Sequence, residues 1–184
     1  MLLFSFAMVA TLFWVVLTVF MLYGRSRMNY LKNVPVSGPF TQPHVVIIIA
    51  VRNEEEHLAQ ALQSVTRLQY NHYRILVIND RSTDNTATIL QGFEAVHPHL
   101  QVITIDNLPS GWLGKNHALY TGYKNSGEEW MLFADADVAF EPNTLQKAMR
   151  YCLQKNLDHL TVLPDVQSRS QILNSMMASF LILL

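Results

Sequence analysis

Residues 45–56 read VVIIIAVRNEEE. Six of the first seven residues are β-branched, and no polar residue interrupts them. A strand with one wet face would alternate. An unbroken run reads instead as a strand buried on both faces, the pattern of a parallel sheet. The polar residues Arg52-Asn-Glu-Glu-Glu56 follow at once. Beyond them Leu58, Leu62 and Val65 recur three or four residues apart, which predicts a helix to about Arg67.

The same alternation continues outward from this stretch. Arg74–Asn79, RILVIN, reads as a second strand, followed by the polar turn Asp80–Asn85. Asp84 there is a candidate N-cap for a helix reaching about Val96. Gln101–Ile105 is a third strand, and Asp106–Gly114, with Pro109, Gly111 and Gly114, is a loop. Lys115–Lys124 should be helical, and Glu129–Ala134 is a fourth strand. Pro142 fits the first turn of a helix over Asn143–Lys155. Asp158–Leu163 is expected to form a fifth strand. A β-α-β-α-β-α-β-α-β order predicts an α/β domain with a mainly parallel sheet flanked by helices, over residues 45–167.

In such sheets ligands bind beyond the carboxyl ends of the strands. Three polar clusters stand there: Arg52-Asn53-Glu54, Asn79–Asp84, and Asp135-Ala136-Asp137 inside WMLFADADVAF, residues 130–140. Carboxylates gathered along one edge repel one another unless a cation or a set of donors lies between them. Carboxylate oxygens suit hard divalent ions, and Mg²⁺ is usually held by one or two carboxylates plus substrate phosphates. Asp-x-Asp after a strand is by itself more often a turn with a helix cap. The apolar strand leading into it and the two other polar strand ends favour the ion.

The totals agree with one such domain. The chain has 184 residues, net charge −1 and no basic tract, so nothing in its composition supports nucleic-acid binding. Half of it is hydrophobic, and the excess is concentrated at one end. Met1–Tyr23 carries no charge, and as a helix it would span roughly 33 Å against a hydrocarbon core of about 30 Å. A cleaved signal peptide would need a positive start and a shorter apolar core. A membrane anchor over residues 1–23 fits better. Arg25, Arg27 and Lys32 follow it, which by the positive-inside rule puts the domain on the cytoplasmic side of the cell (inner) membrane. Residues 24–44, with Pro35, Gly38, Pro39 and Pro43, form a linker. Residues 168–184 are an apolar segment, either a membrane-associated helix or a core helix. The single cysteine, Cys152, forms no internal disulfide and suits a reducing compartment.

The stretches VVIIIAVRNEEEHLAQALQSV, RILVINDRSTDNTATIL, GWLGKNHALYTGY and EWMLFADADVAFEPNTL, in this order and spacing, resemble the family 2 glycosyltransferases of the GT-A (Rossmann-like) fold. The resemblance covers about Val45–Leu163. Gly111-Trp-Leu-Gly-Lys115 followed by Asn-His-Ala-Leu is similar to the membrane-anchored bacterial members associated with hopanoid and carotenoid glycosylation. The resemblance implies a nucleotide-sugar donor, UDP-linked in most of the family, a lipid or other membrane-associated acceptor, and Mg²⁺ or Mn²⁺. By position it implies that Ala50, Arg52 and Glu54 line the nucleoside pocket and that Lys115 favours the diphosphate. Asp137 would be the metal ligand, with Asp135 on the ribose or a metal-bound water. The family's aspartate pair is Asn79-Asp80 here, so Asp80 is expected to meet the base, although an Asn79 carbonyl can also accept a hydrogen bond. The family's inverting chemistry uses a downstream carboxylate base, typically in a Glu-Asp or Thr-Glu-Asp motif, and no such motif precedes Leu184. The chain therefore reads as the donor-binding half of a longer enzyme.

Two rival readings remain. A nucleotidyltransferase would need a Gly-rich basic loop where VRNEEE stands. A non-catalytic, membrane-tethered binding or scaffold module would keep the fold without using Asp137.

Overall fold

The structure is a computed structural model that describes residues 2–27, 29–165 and 170. The chain divides into two compact units, Met1–Asn33 with Thr161–Leu184, and Val34–Leu160. The apolar segment 168–184 lies outside the described residues except for Ser170.

In the first unit, helix α1 (Leu2–Arg27) contains an apolar stretch, Phe4–Gly24, of 21 residues, long enough to cross a membrane and unburied within the chain. Its threonines need no outside partner. Thr11 and Thr18 donate to the carbonyls of Ala7 and Trp14, each at 2.8 Å, as an apolar surrounding demands.

The second unit is built on four strands: β1 (Val45–Val51), β2 (Tyr73–Asp80), β3 (Leu100–Ile105) and β4 (Trp130–Asp135). They run parallel in the order β3-β2-β1-β4. The uninterrupted β-branched run thus occupies an inner position, where both faces are covered. Val46, Ile47 and Ile48 are wholly buried. Helices α2 (Leu58–Val65), α3 (Thr86–Val96) and α5 (Thr144–Lys155) send Leu58, Leu62, Val65, Leu90, Leu145 and Met149 onto one face, against Ile47, Ile49, Ile75 and Val77. Helix α4 (Gly114–Lys124) covers the other face, over Val46, Ile48, Leu76 and Ile78. It lies close there because Gly122 has no side chain. A Cβ at that position would sit 2.4 Å from Ile48 Cγ2.

The expected fifth strand is absent. Asp158–Leu163 is irregular and mostly exposed. Helix α5 ends on Asn156 in the left-handed conformation (φ +51°), and the Leu157 amide returns to the Cys152 carbonyl at 2.9 Å. The turn takes the chain out of α5 without delivering it to a strand edge. β-propensity depends strongly on the packing a strand finds in a sheet, so composition alone does not make one.

Candidate functional site

Register fixes the site. Val51 pairs with Asn79 and Ala50 with Asp135, so β1, β2 and β4 end at nearly one level. Adjacent residues of a strand point to opposite faces. Ala50 follows Ile48 on the α4 face, Asp80 follows Ile78, and Asp135 follows Phe133, so these three converge beside the start of α4. Ala50, Arg52, Glu54, Asp80, Lys115, Asp135 and Asp137, each singled out from the sequence, line one cleft of about 340 Å³, with Gly114 and Ala118 in its wall.

Alternation removes Asn79 from this group. Asn79 falls on the face of Ile75 and Val77, is 4 % exposed, and buries Oδ1 without a hydrogen-bond partner. Of the Asn79-Asp80 pair, Asp80 is the one that lines the cleft.

Asp80 is held tightly. Its side chain is 3 % exposed and grips Arg81 through two bonds, Nε to Oδ1 at 2.7 Å and Nη2 to Oδ2 at 3.1 Å. The hydrogen bonds from Arg81 hold the Asp80 carboxyl below the usual carboxylate range against the opposing effect of burial. The charges of Arg81 and Arg52 and the His117 ring push the same way. Gly114 makes room for this pair, since a Cβ there would lie 2.6 Å from Asp80 Oδ2.

Behind the cleft, the loops after β1 and β2 are bonded to each other. Asn53 donates its amide to Ser82 Oγ at 3.1 Å and accepts from the Thr83 amide at 2.8 Å. The Glu54 amide donates to Thr86 Oγ1 at 3.0 Å, and the Asn85 amide to Glu55 Oε2 at 2.9 Å. Asp84 accepts from the Glu55 amide at 3.2 Å and from the Thr86 amide at 3.0 Å. The N-cap position itself falls to Asn85, one residue past the expected Asp84, and carries no side-chain cap bond; Asp84 instead braces the approach to α3 and ties the two loops. Asn53 and Arg81 both adopt left-handed backbone, φ +54° and +55°. Asparagine tolerates that region, and arginine does so only where its surroundings fix it.

The β4 end is built differently. The Asp135 side chain is 58 % exposed, and its one bond among the described residues is from Lys115 Nζ to Oδ1 at 2.6 Å. Asp137 is exposed and has no hydrogen bond or ion pair among the described residues. Four carboxylates (Glu54, Asp80, Asp135, Asp137) therefore line the cleft against two cations (Arg52, Lys115). No cluster of three metal-ligating side chains occurs among the described residues. The residues thus fit an ion that takes one or two protein carboxylates and completes its shell from a phosphate-bearing ligand, rather than one caged by protein.

Just before α4 and along it, aromatic residues stand exposed. Trp112 meets Tyr120 at 5.1 Å between ring centroids, and Tyr120 meets Tyr123 at 6.2 Å. Leu113 is 72 % exposed. His117 is half-buried against the Trp112 ring, and its Nδ1 finds no partner among the described residues. The sequence reading missed Arg81 as the partner of Asp80 and Asn53 as a loop tie. For Arg81 no local signal existed, and for Asn53 the only one was asparagine's tolerance of left-handed backbone.

A model of the family described as Glycosyl transferase family 2 matches residues 46–176. The chain is 33 % identical over 127 residues to the 4,4'-diaponeurosporenoate glycosyltransferase of Staphylococcus aureus (strain MRSA252), covering 68 % of this chain and 32 % of that protein. It thus spans about a third of the length of the curated relatives it matches. Among solved structures, it superposes on the mannosyltransferase PcManGT from Pyrobaculum calidifontis, in complex with GDP-Man and Mn²⁺, with a TM-score of 0.62 and 20 % identity, over 76 % of this chain and 40 % of that one. It also superposes on S. aureus TarS 1–349 in complex with UDP-GlcNAc, with a TM-score of 0.52 and 23 % identity, over 61 % of this chain and 32 % of that one. At these identities the structural likeness shows the fold.

Proposed function

The chain belongs to glycosyl transferase family 2, and on that premise we propose that its cleft binds a nucleotide-sugar, UDP-linked, together with Mg²⁺ or Mn²⁺, for transfer of the sugar to a membrane-associated acceptor. One observation carries this reading. Residues from four separate segments, at the ends of β1, β2 and β4 and the start of α4, converge on one cleft whose acids outnumber its cations. An excess of carboxylates repels a bare diphosphate and accommodates it once a divalent ion is shared.

Each side chain then has a task. Arg52, Glu54 and Ala50 line the nucleoside end, with the small Ala50 leaving space above the sheet. Asp80, neutralised by Arg81, presents a fixed hydrogen-bonding pair to the base. Lys115, in the first turn of α4, offers a mobile cation to the diphosphate, and the amides of that helix start favour the same charge. Asp137 holds the ion, and Asp135 joins it as a second ligand or through water bound to the ion, or contacts the ribose. The ion would stabilise negative charge on the departing nucleoside diphosphate. The carboxylate base of an inverting transfer is assigned to no residue of this chain.

The acceptor side rests on two features. The apolar span in α1 is an anchor in this reading, holding the domain at the cytoplasmic face of the inner membrane. The exposed aromatic residues Trp112, just before α4, and Tyr120 and Tyr123 along it suit a lipid or an apolar acceptor body. Calorimetry with UDP on the detergent-solubilised chain tests the donor reading. Binding that requires Mn²⁺ and is lost in Asp137→Ala is expected. Mn²⁺-independent binding, or binding unchanged by Asp137→Ala, would remove the metal from the site. No binding by the folded chain would overturn the donor site itself.

A further inference from the structure

Lys115 and a metal ion would compete for one carboxylate, that of Asp135. The ammonium lies 2.6 Å from Asp135 Oδ1, at full hydrogen-bonding distance, and this is the only bond the Asp135 side chain makes among the described residues. A divalent ion on either oxygen of that carboxylate would stand close to an ammonium of the same sign, and like charges there repel. Both partners of the bridge are well exposed, 61 % and 58 %, so it is readily broken by a better partner for either. Lysine is suited to such an exchange, as a point charge on a flexible stem with three donors and no fixed fork. By contrast, the bidentate Arg81 beside Asp80 is immobilised.

We propose that Lys115 is a built-in counter-cation, which neutralises Asp135 until a diphosphate draws the ammonium away and leaves the carboxylate to the metal. This rests on the donor-site reading and goes beyond it. Lys115 then couples the two ligands. Metal alone binds weakly because it must displace the ammonium. Metal with a diphosphate binds well because the displaced ammonium gains a new partner. Coupling of this kind is reciprocal, so the metal raises affinity for the nucleotide by the same factor as the nucleotide raises affinity for the metal.

The test uses Lys115→Met, which keeps the stem and removes the charge, in the full chain in detergent. Free Mn²⁺ is read by its paramagnetic resonance signal, and UDP binding by calorimetry. The substitution is expected to tighten Mn²⁺ binding in the absence of nucleotide by about two- to five-fold, the scale of an exposed ion pair. It is expected to weaken UDP binding in the presence of Mn²⁺ by about tenfold or more, the scale of a hydrogen bond to a charged group. In an Asp135→Asn background Lys115→Met should no longer tighten Mn²⁺, which isolates the pair. Opposite signs in the two titrations support the exchange. Weaker or unchanged Mn²⁺ binding in Lys115→Met overturns it, even if UDP binding falls. If the folded wild-type chain binds no UDP, the donor reading fails while the Mn²⁺ titration still decides whether Lys115 guards Asp135.

Discussion

Asp80 and Asp135 stand at the ends of the two strands that flank β1, and both turn toward α4. Asp80 is sealed: 3 % exposed, clamped by a guanidinium, with a glycine opposite to make room. Asp135 is open: 58 % exposed and held by one flexible lysine. The loops behind Asp80 are tied by at least six bonds between residues about thirty apart, whereas Asp137, two residues past Asp135, has no tie among the described residues. The β2 side of the cleft is therefore preorganised, and the β4 side is left to be completed by a ligand. Such a division suits a site that recognises one part of a molecule rigidly and recruits an ion through another.

The largest break in this comparison should come from Arg81→Gln. It strands the Asp80 carboxylate in a buried position, which is destabilising because removing one partner leaves the other uncompensated. The sign with pH follows from the lowered Asp80 pKa. In the wild type its ionisation contributes stability above the ordinary carboxylate range, and that contribution is lost as pH falls through the folded value. Without Arg81 the folded carboxyl titrates higher, nearer to or above its unfolded value, so the part of the acid limb of the urea midpoint that Asp80 supplies, followed from pH 7 to 3, should shrink or reverse. An unchanged limb would mean that the clamp contributes nothing. Lys115→Met, on the open side, should leave the midpoint at pH 7 within about 0.5 kcal/mol.

Gly122→Ala should be next. Its Cβ would meet Ile48 Cγ2 at 2.4 Å, and overpacking of this kind costs about 1–3 kcal/mol, read as a drop in the urea midpoint. Gly92 in α3 is the control of opposite sign. Nothing lies within 4 Å of its Cβ position, so Gly92→Ala should stabilise by about 0.5–1 kcal/mol through helix propensity and chain entropy. Equal effects at the two glycines would contradict the close seating of α4 on the sheet.

Asn53→Ala should cost about 1 kcal/mol, since it removes the acceptor for the Thr83 amide and places a less tolerant residue in left-handed backbone. Asn53→Gly, which relieves the backbone but not the bond, should fall between. If alanine and glycine are equivalent, the backbone term is negligible.

Much of this architecture could be read from residues 45–135. The β-branched run Val45–Val51 led to an inner parallel strand, and polar residues after each strand led to one edge. Both arguments depend on local pattern. What failed depended on partners far away in the chain. Asp158–Leu163 has strand composition, but a strand also needs an edge to pair with, which local pattern does not supply. Asn79 and Asp80 turn to opposite faces by alternation, and only the placing of β2 decides which of them reaches the cleft. The ties through Asn53, Glu55 and Asp84 arise where two loops meet across the sheet edge, which no window of sequence contains. The Lys115–Asp135 bridge likewise spans twenty residues and two elements.

The most direct measurement of the account is amide hydrogen exchange on the full chain, with and without UDP and Mn²⁺. The account predicts new protection at the β1, β2 and β4 ends and the start of α4, around residues 50–54, 80–83, 113–117 and 135–138. The gain should be larger around 135–138 than around 80–83, because the first region is open and the second already tied. Protection confined to other segments while UDP is bound, or an equal gain on both sides of the cleft, would contradict it.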